Sequence, residues 1–100
     1  MKDKTTMKVL TQDEVRTGLL SLDDWFYLNN SIEKEFKLKS FSDAIAFVIK
    51  IGIESEKIDH HPDIFLHSWN KVKIILSTHS DGGVTADDFK LAQIIDDIRK

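Results

Sequence analysis

The hydrophobic pattern of this chain changes its period near Ser40, and that change constrains the fold more than any other feature of the sequence. Before it, SIEKEFKLKS places Ile32, Phe36 and Leu38 on one side of an extended chain, with Lys34 as the one position out of phase. This is the pattern of a strand with one solvated face. After it, apolar residues recur at steps of three and four through FSDAIAFVIKIGIESEKID, namely Phe41, Ile45, Val48, Ile49 and Ile53. This recurrence predicts a helix of about four turns. The chain must therefore pack a long helix against a half-exposed sheet.

Capping residues and a proline set the ends of that helix. Ser40 and Ser42 are both candidates for its N-cap, because a serine hydroxyl can accept a hydrogen bond from a free backbone amide of the first turn. Pro62, the single proline of the chain, disfavours helical geometry at the residue before it. The helix should therefore end near Ile58, and EKIDHHPD, residues 56–63, forms its exit towards a strand.

Turn and capping patterns divide the rest of the chain into short elements. Thr11 with Glu14, and Thr85 with Asp88, have the spacing of a capping box. They predict a short helix over about residues 12–20 and a last helix that ends near Ile98. Strand-like runs occur at Trp25–Leu28, at Ile64–Trp69 and at Lys71–Thr78, with turns at Asn29–Asn30 and at SDGG, whose Gly82 and Gly83 can both take a positive φ.

The resulting order is helix, two strands, helix, two strands, helix. Paired strands on short turns indicate an antiparallel sheet, and the helices must cover one face of it. We therefore predict an α+β, two-layer domain in which a four-stranded antiparallel sheet carries three helices on one face, in the order α-β-β-α-β-β-α. The other sheet face and the edge strands stay exposed, which favours oligomer formation.

Length and composition limit what such a domain can do. The 100 residues fit one domain, and we expect residues 1–10 to be a flexible N-terminus and residues 11–100 to form the domain. A net charge of −3 argues against a nucleic-acid binder that neutralises phosphates. The absence of cysteine excludes disulfides and thiolate metal sites. Because the sequence has no signal-like or membrane-spanning apolar run, we expect a soluble, cytoplasmic protein.

Three of the four histidines flank the third and fourth predicted strands. His60 and His61 precede the third strand, and His79 follows the fourth. An antiparallel hairpin would bring them to the same end of the sheet. The fourth, His67, is best explained as an ordinary polar residue of the surface.

Three roles compete for this histidine group: a metal site, an ordinary polar turn and proton transfer. Adjacent side chains project differently, so His60 and His61 do not form a chelating pair, although Asp59 and Asp63 could add ligands. Neither a nucleophile elbow nor a phosphate-binding glycine loop occurs. An imidazole has an unperturbed pKa of about 6.5, so one ring can donate a proton while another accepts one. Acid–base catalysis therefore fits the residues best.

The stretch EKIDHHPDIFLHSWNKVKIILSTHSDGGVTADD, residues 56–88, resembles the signature of the pterin-4a-carbinolamine dehydratases. An acidic residue, His-His-Pro, an aromatic residue, a second histidine and an aspartate follow one another at the spacings of that family. The matching positions are Glu56, His60, His61, Pro62, Trp69, His79 and Asp88. A weaker similarity extends back to about Trp25.

The resemblance implies a dehydratase that removes water from 4a-hydroxytetrahydrobiopterin, or a related 4a-hydroxytetrahydropterin, in tetrahydrobiopterin recycling. The product would be quinonoid dihydropterin. The resemblance further implies no metal, no bound cofactor, and a homodimer or homotetramer.

The same resemblance assigns roles within the signature. His60 and His79 become the candidates for proton transfer, and Asp88 an orienting or structural residue at the cap of the last helix. The substrate-binding set is His61, Glu56, Pro62 and Trp69. Glu56, four residues before His60, could also orient that imidazole.

A binding module is the alternative function. A homo-oligomer could dock on a protein partner through its exposed sheet or helix face, as a transcription cofactor or an assembly factor does. The uncovered sheet face favours this alternative, and the histidine group favours the enzyme.

Overall fold

The computed structural model describes residues 8–100, which form three helices and four strands in the predicted order. The helices are α1 (Gln12–Leu19), α2 (Phe41–Lys57) and α3 (Ala86–Arg99). The strands are β1 (Phe26–Leu28), β2 (Ser31–Lys37), β3 (Asp63–His67) and β4 (Lys71–Leu76). The predicted α+β class and element order are confirmed.

The four strands form one antiparallel sheet in the order β1-β2-β4-β3. The β1–β2 hairpin turns at Asn29 and Asn30, whose φ angles of 52° and 61° lie in the left-handed region. Asparagine tolerates that region better than most residues, and two successive positive φ angles suit a tight hairpin turn. The sheet places the start of β3 beside the end of β4, because Asp63 pairs with Ile75.

The helices cover one face of the sheet, and the core lies between the two layers. Even-numbered residues of β2 and β4 point into it, so that Ile32, Val72, Ile74 and Leu76 are fully buried. Lys34 lies on the same side, and its ammonium group is 2.9 Å from Asp96 of α3. The charge that interrupts the alternation of β2 is therefore neutralised by a partner in the helical layer.

The apolar residues whose spacing predicted helix α2 do not form the face that the helix buries. The N-cap is Ser40, whose hydroxyl accepts from the amide of Asp43, and the C-cap is Ile58. The buried positions are Ala44, Phe47, Ile51 and Ser55. By contrast, the residues at the recurring spacing are more than one-third exposed, apart from the half-buried Val48: Phe41 55 %, Ile45 40 %, Ile49 57 % and Ile53 53 %. We call these four residues the α2 stripe.

The N-terminal segment contacts the domain at the first residues that the structure describes. The amide of Leu10 donates to the carbonyl of Val84 at 2.8 Å, and Lys8 pairs with Glu14. The predicted flexible segment 1–10 otherwise lies outside the described residues. Across residues 8–100, none of the helices combines the length and the apolar character that crossing a membrane requires.

Candidate active site

The exit of α2 sets the position of His60. Asp59 takes a φ of 51°, and its amide donates to the carbonyl of Glu56. The amide of His60 donates to the carbonyl of Ser55 at 3.1 Å. These two bonds, with a left-handed residue between them, form a Schellman motif. The motif reverses the chain directly after the helix, so that His60 is buried while the adjacent His61 is exposed.

His60 pairs with a carboxylate of the last helix. Its Nε2 atom lies 2.6 Å from Oδ1 of Asp88. Asp88 is fully buried and His60 is 5 % exposed. The second carboxylate oxygen, Oδ2, accepts from the hydroxyl of Thr78 and from the backbone amide of Thr85. Asp88 therefore combines the predicted capping role with an orienting contact, and the imidazole that it contacts is that of His60.

His61 has its own acidic partner on the surface. Its Nε2 atom lies 2.6 Å from Oε1 of Glu56, and both side chains are exposed. Glu56 therefore contacts His61, whereas the carboxylate that contacts His60 is that of Asp88. The Schellman motif turns His60 towards α3, and the imidazole of His61 lies beside the end of α2.

His79 lies in a short loop after β4. Thr78 forms an isolated antiparallel bridge with Gly83, and Gly82 between them has a φ of 78°. Gly82 is the only described glycine with a positive φ. Gly83 does not use that freedom, and a Cβ at this position would meet Cγ1 of Val9 at 2.7 Å, so the valine side chain would have to shift. The loop presents His79 to solvent, with Nε2 3.7 Å from a carboxylate oxygen of Asp63.

The three histidines of the signature line one shallow depression of about 180 Å³. Its lining consists of Asp59, His60, His61, Ser77, Thr78, His79 and Ser80. Antiparallel pairing of β3 with β4 produces this convergence, as expected. His60 forms a buried wall, whereas His61 and His79 are free to approach a ligand from the solvent side. The arrangement can therefore transfer protons to and from one small molecule.

Trp69 and Pro62 are not part of that lining. Trp69 lies in the turn between β3 and β4, with a φ of 57° and 61 % exposure. The five residues of β3 separate it from the histidines, and at about 3.3 Å per residue they span roughly 16 Å. Trp69 is therefore not a wall of this depression. Pro62 is half-buried between His61 and β3, where it limits the path of the chain.

His67 lies on the exposed sheet face, away from the other histidines. Its Nε2 atom is 2.6 Å from Oε1 of Glu35, and its ring stacks on that of Phe65 at a centroid distance of 4.9 Å. These contacts agree with its interpretation as a polar surface residue. They also make it a useful control, because its environment is separate from the depression.

The side chains that could bind metal are separated into pairs. Each histidine of the depression has a different carboxylate partner, so the donors do not converge on one point. In the part of the chain that the structure describes, residues 8–100, no group of three or more histidine and acidic side chains could hold a metal ion.

Two hydroxyl groups of the site, those of Thr78 and Thr85, were not among the predicted site residues. The two hydroxyl oxygens are 2.7 Å apart, and both residues are buried. Thr78 continues the alternation of Val72, Ile74 and Leu76, so its parity alone predicts a hydroxyl that points into the core. A buried hydroxyl requires a partner, and that requirement was the available signal.

Comparison with known proteins identifies the family of this chain. The model of the family described as pterin 4 alpha carbinolamine dehydratase matches residues 8–98. The chain belongs to this family. The match includes the whole of the described domain up to the last turn of α3, so it applies to the fold as well as to the signature.

Individual members of the pterin dehydratase family show the same similarity. A provisionally named pterin-4-alpha-carbinolamine dehydratase of Sulfolobus acidocaldarius is 42 % identical over 90 % of this chain and 98 % of its own length. A similarly named protein of Prochlorococcus marinus is 51 % identical over 72 % of this chain and 75 % of its own. The chain therefore spans most of the length of both relatives.

Two solved structures share the fold. A transcriptional coactivator/pterin dehydratase from Brucella melitensis superposes with a TM-score of 0.86 at 38 % identity, covering 91 % of this chain and 98 % of that one. A pterin dehydratase-like protein identified as a RuBisCO assembly factor in the alpha-carboxysome superposes with a TM-score of 0.58 at 22 % identity, covering 72 % of this chain and 82 % of that one. The second similarity shows the fold alone.

Proposed function

We propose that this protein is a dehydratase that acts on 4a-hydroxytetrahydrobiopterin or a related 4a-hydroxytetrahydropterin. The observation that supports this function best is the convergence of His60, His61 and His79 on one depression. Family membership supports the same reaction class. The product is quinonoid dihydropterin, which places the reaction in tetrahydrobiopterin recycling.

The reaction requires two proton transfers and no redox step. The lone pair of N5 forms a double bond to C4a as the bond from C4a to the hydroxyl oxygen breaks. One acid protonates the departing oxygen to give water, and one base accepts the proton of N5. Positioned groups of this kind typically accelerate a reaction by about 10²–10⁴-fold.

His60 and His79 are the proposed proton-transfer groups. His79 lies on the solvent side of the depression and is accessible to the leaving hydroxyl or to N5. The buried His60 is held by Asp88, which fixes the orientation of its ring. His61, paired with Glu56 at the rim, is proposed to bind and orient the pterin.

A rate assay with purified protein tests this function. Decay of 4a-hydroxytetrahydropterin to quinonoid dihydropterin should be faster with the protein than without it, and the rate should be unchanged by a chelator. His60→Ala and His79→Ala should each lose about 10²-fold or more in kcat. His67→Ala is the matched control and should keep its rate within about twofold. Full activity in the His60→Ala/His79→Ala double variant would exclude the mechanism.

Homo-oligomer formation is a separate part of the proposal. The α2 stripe, which consists of Phe41, Ile45, Ile49 and Ile53, exposes apolar side chains from the first residue of α2 to its last turn but one. Contiguous exposed apolar surface of this kind marks protein contacts. A second copy of the chain offers an identical stripe, and two such stripes can pack against each other about a two-fold axis. We propose that the protein forms a homodimer or homotetramer through this face.

The α2 stripe also supports the alternative function, a non-catalytic binding module. The Brucella relative is described as a transcriptional coactivator as well as a pterin dehydratase. Under this alternative, a stoichiometric protein partner would co-purify with the chain, and substitution of His60 or His79 would not reduce its recovery. Loss of the partner in an α2-stripe variant alone would support the binding module.

A further inference from the structure

Thr78 contacts both parts of the site that carry the proposed proton-transfer histidines. It follows β4 by two residues and immediately precedes His79. Its side chain points into the core and its backbone closes the loop on the surface. The side-chain contacts lead to His60 through Asp88, and the backbone contacts hold the loop that carries His79.

The side chain of Thr78 belongs to a directed chain of hydrogen bonds that ends at His60. Its hydroxyl donates to Oδ2 of Asp88 at 3.0 Å. That use of its only proton leaves its oxygen to accept from the hydroxyl of Thr85 at 2.7 Å. The hydroxyl of Thr85 in turn accepts from the amide of Asp87 at 3.3 Å. These hydrogen bonds therefore lead from the first turn of α3 to the carboxylate of Asp88, whose other oxygen contacts the imidazole of His60.

This hydrogen-bond chain determines which nitrogen of His60 carries a proton. An ionised carboxylate can only accept hydrogen bonds. With Oδ2 of Asp88 occupied by Thr78 and Thr85, Oδ1 is left for the imidazole and selects the tautomer protonated at Nε2. His60, Thr78, Thr85 and Asp88 are all buried. Water therefore cannot replace a missing hydrogen-bond donor without a cost in free energy.

The backbone of Thr78 holds the loop of His79. Its amide donates to the carbonyl of Gly83 at 2.8 Å. Its carbonyl accepts from the amides of Asp81 at 3.0 Å and of Gly82 at 2.9 Å. These three bonds fix the loop on which His79 stands.

We propose that Thr78 is a positioning residue that sets the tautomer and orientation of His60 through Asp88 and fixes His60 relative to His79. This inference rests on the proposed function, because it gives the two histidines one shared support. Thr78 does not itself transfer a proton in this proposal.

Removal of the hydroxyl without loss of volume tests the proposal. Thr78→Val should lower kcat by about tenfold or more, the effect of one lost hydrogen bond to a charged group, with KM changed by less than about twofold. Thr78→Ser keeps the hydroxyl and should retain kcat within about threefold. Thr17→Val is the matched control, since Thr17 is exposed on α1, and should behave as the unsubstituted protein does.

A second measurement distinguishes positioning from a structural role and does not depend on activity. Nitrogen-15 NMR of the imidazoles should show one His60 tautomer, protonated at Nε2, in the unsubstituted protein and in Thr78→Ser. Thr78→Val should show a mixture of tautomers. If Thr78→Val is unfolded by circular dichroism, Thr78→Ala removes the same hydroxyl without the added methyl group and replaces it in both measurements.

The outcomes separate the two proposals. An unsubstituted protein without dehydratase activity, but with the tautomer change in Thr78→Val, would overturn the proposed function and support the positioning role. A folded Thr78→Val protein with an unchanged His60 tautomer would overturn the positioning role, whatever its kcat. Loss of kcat together with the tautomer change, and rescue of both in Thr78→Ser, would support both proposals.

Discussion

The imidazole of His60 contacts the carboxylate of Asp88 at 2.6 Å, across 28 residues of sequence. The contact joins the exit of α2 to the first turn of α3. Both side chains of this contact are buried, whereas both side chains of the equally short contact of His61 with Glu56 are exposed to solvent. Two adjacent histidines with similar partners therefore differ in what their loss would do.

We expect His60→Ala to reduce the free energy of unfolding far more than His61→Ala does. Loss of the His60 ring leaves Oδ1 of the buried Asp88 without this partner, which costs about 1–3 kcal/mol, plus the lost packing of the ring. An exposed substitution such as His61→Ala usually changes stability by no more than about 0.5 kcal/mol. Urea denaturation of the two variants measures the difference, and equal midpoints at equal m-values would contradict it.

We expect Ile49→Lys to weaken self-association. Ile49 is central in the α2 stripe and 57 % exposed, and a lysine there would place like charges opposite each other in a two-fold contact. Light scattering coupled to gel filtration should report a lower mass for the variant than for the unsubstituted protein. Leu20→Lys is the control, because Leu20 is 86 % exposed and lies outside the stripe. An unchanged mass in Ile49→Lys would show that another surface forms the oligomer.

Loss of Asp96 should destabilise the domain. Its carboxylate accepts from the ammonium of Lys34 at 2.9 Å and from the indole of Trp25 at 3.0 Å. The Lys34 and Asp96 side chains are only 15 % and 14 % exposed. Asp96→Ala leaves a largely buried lysine without its carboxylate partner. Removal of one partner from a fully buried pair costs about 3–5 kcal/mol, which is the upper bound for this part-buried pair.

A double variant checks the origin of that loss. Lys34→Met/Asp96→Asn removes both charges and keeps an amide oxygen for the indole of Trp25. Its free energy of unfolding should fall by less than that of Asp96→Ala, because no charge is left without its partner. Thermal or urea denaturation of the two variants decides the point, and a double variant that is the less stable of the two would refute it.

The first turn of α1 should become less stable at acidic pH. The pKa of the exposed Glu14 lies below its usual value. The largest cause is a hydrogen bond from Lys8, and the second is a hydrogen bond from the backbone amide of Thr11. A carboxyl with a lowered pKa in the folded state stabilises it above the unfolded pKa, about 4.3 for glutamate. That contribution is lost as the pH falls through the folded pKa.

An NMR titration of the Glu14 carboxyl measures this effect. The midpoint should lie below that of a glutamate in an unfolded peptide, and Lys8→Met should move it upwards. Lys90→Met is the control, since Lys90 lies on α3 and has no part in the contacts of Glu14. A midpoint that does not respond to Lys8→Met would show that the amide of Thr11 alone holds the carboxylate.

Local rules were sufficient for much of the fold. The two capping boxes, the asparagine turn and the proline after α2 each act within a few residues, so their positions could be predicted from spacing alone. The convergence of His60, His61 and His79 could also be predicted, because antiparallel pairing fixes which strand ends are neighbours. The element order, the sheet type and the group of residues at the site therefore follow from local patterns in the chain.

The partner of each of these residues depends on how the whole domain packs. α2 carries apolar residues on several faces, so periodicity could not distinguish the face that packs on the sheet from the α2 stripe. The left-handed φ of Asp59 separates the directions of His60 and His61, and it depends on how the chain leaves the helix. The contact of His60 with Asp88 forms only when α3 lies against that exit. Such contacts join segments that are distant in sequence, and their geometry follows from packing of the whole domain.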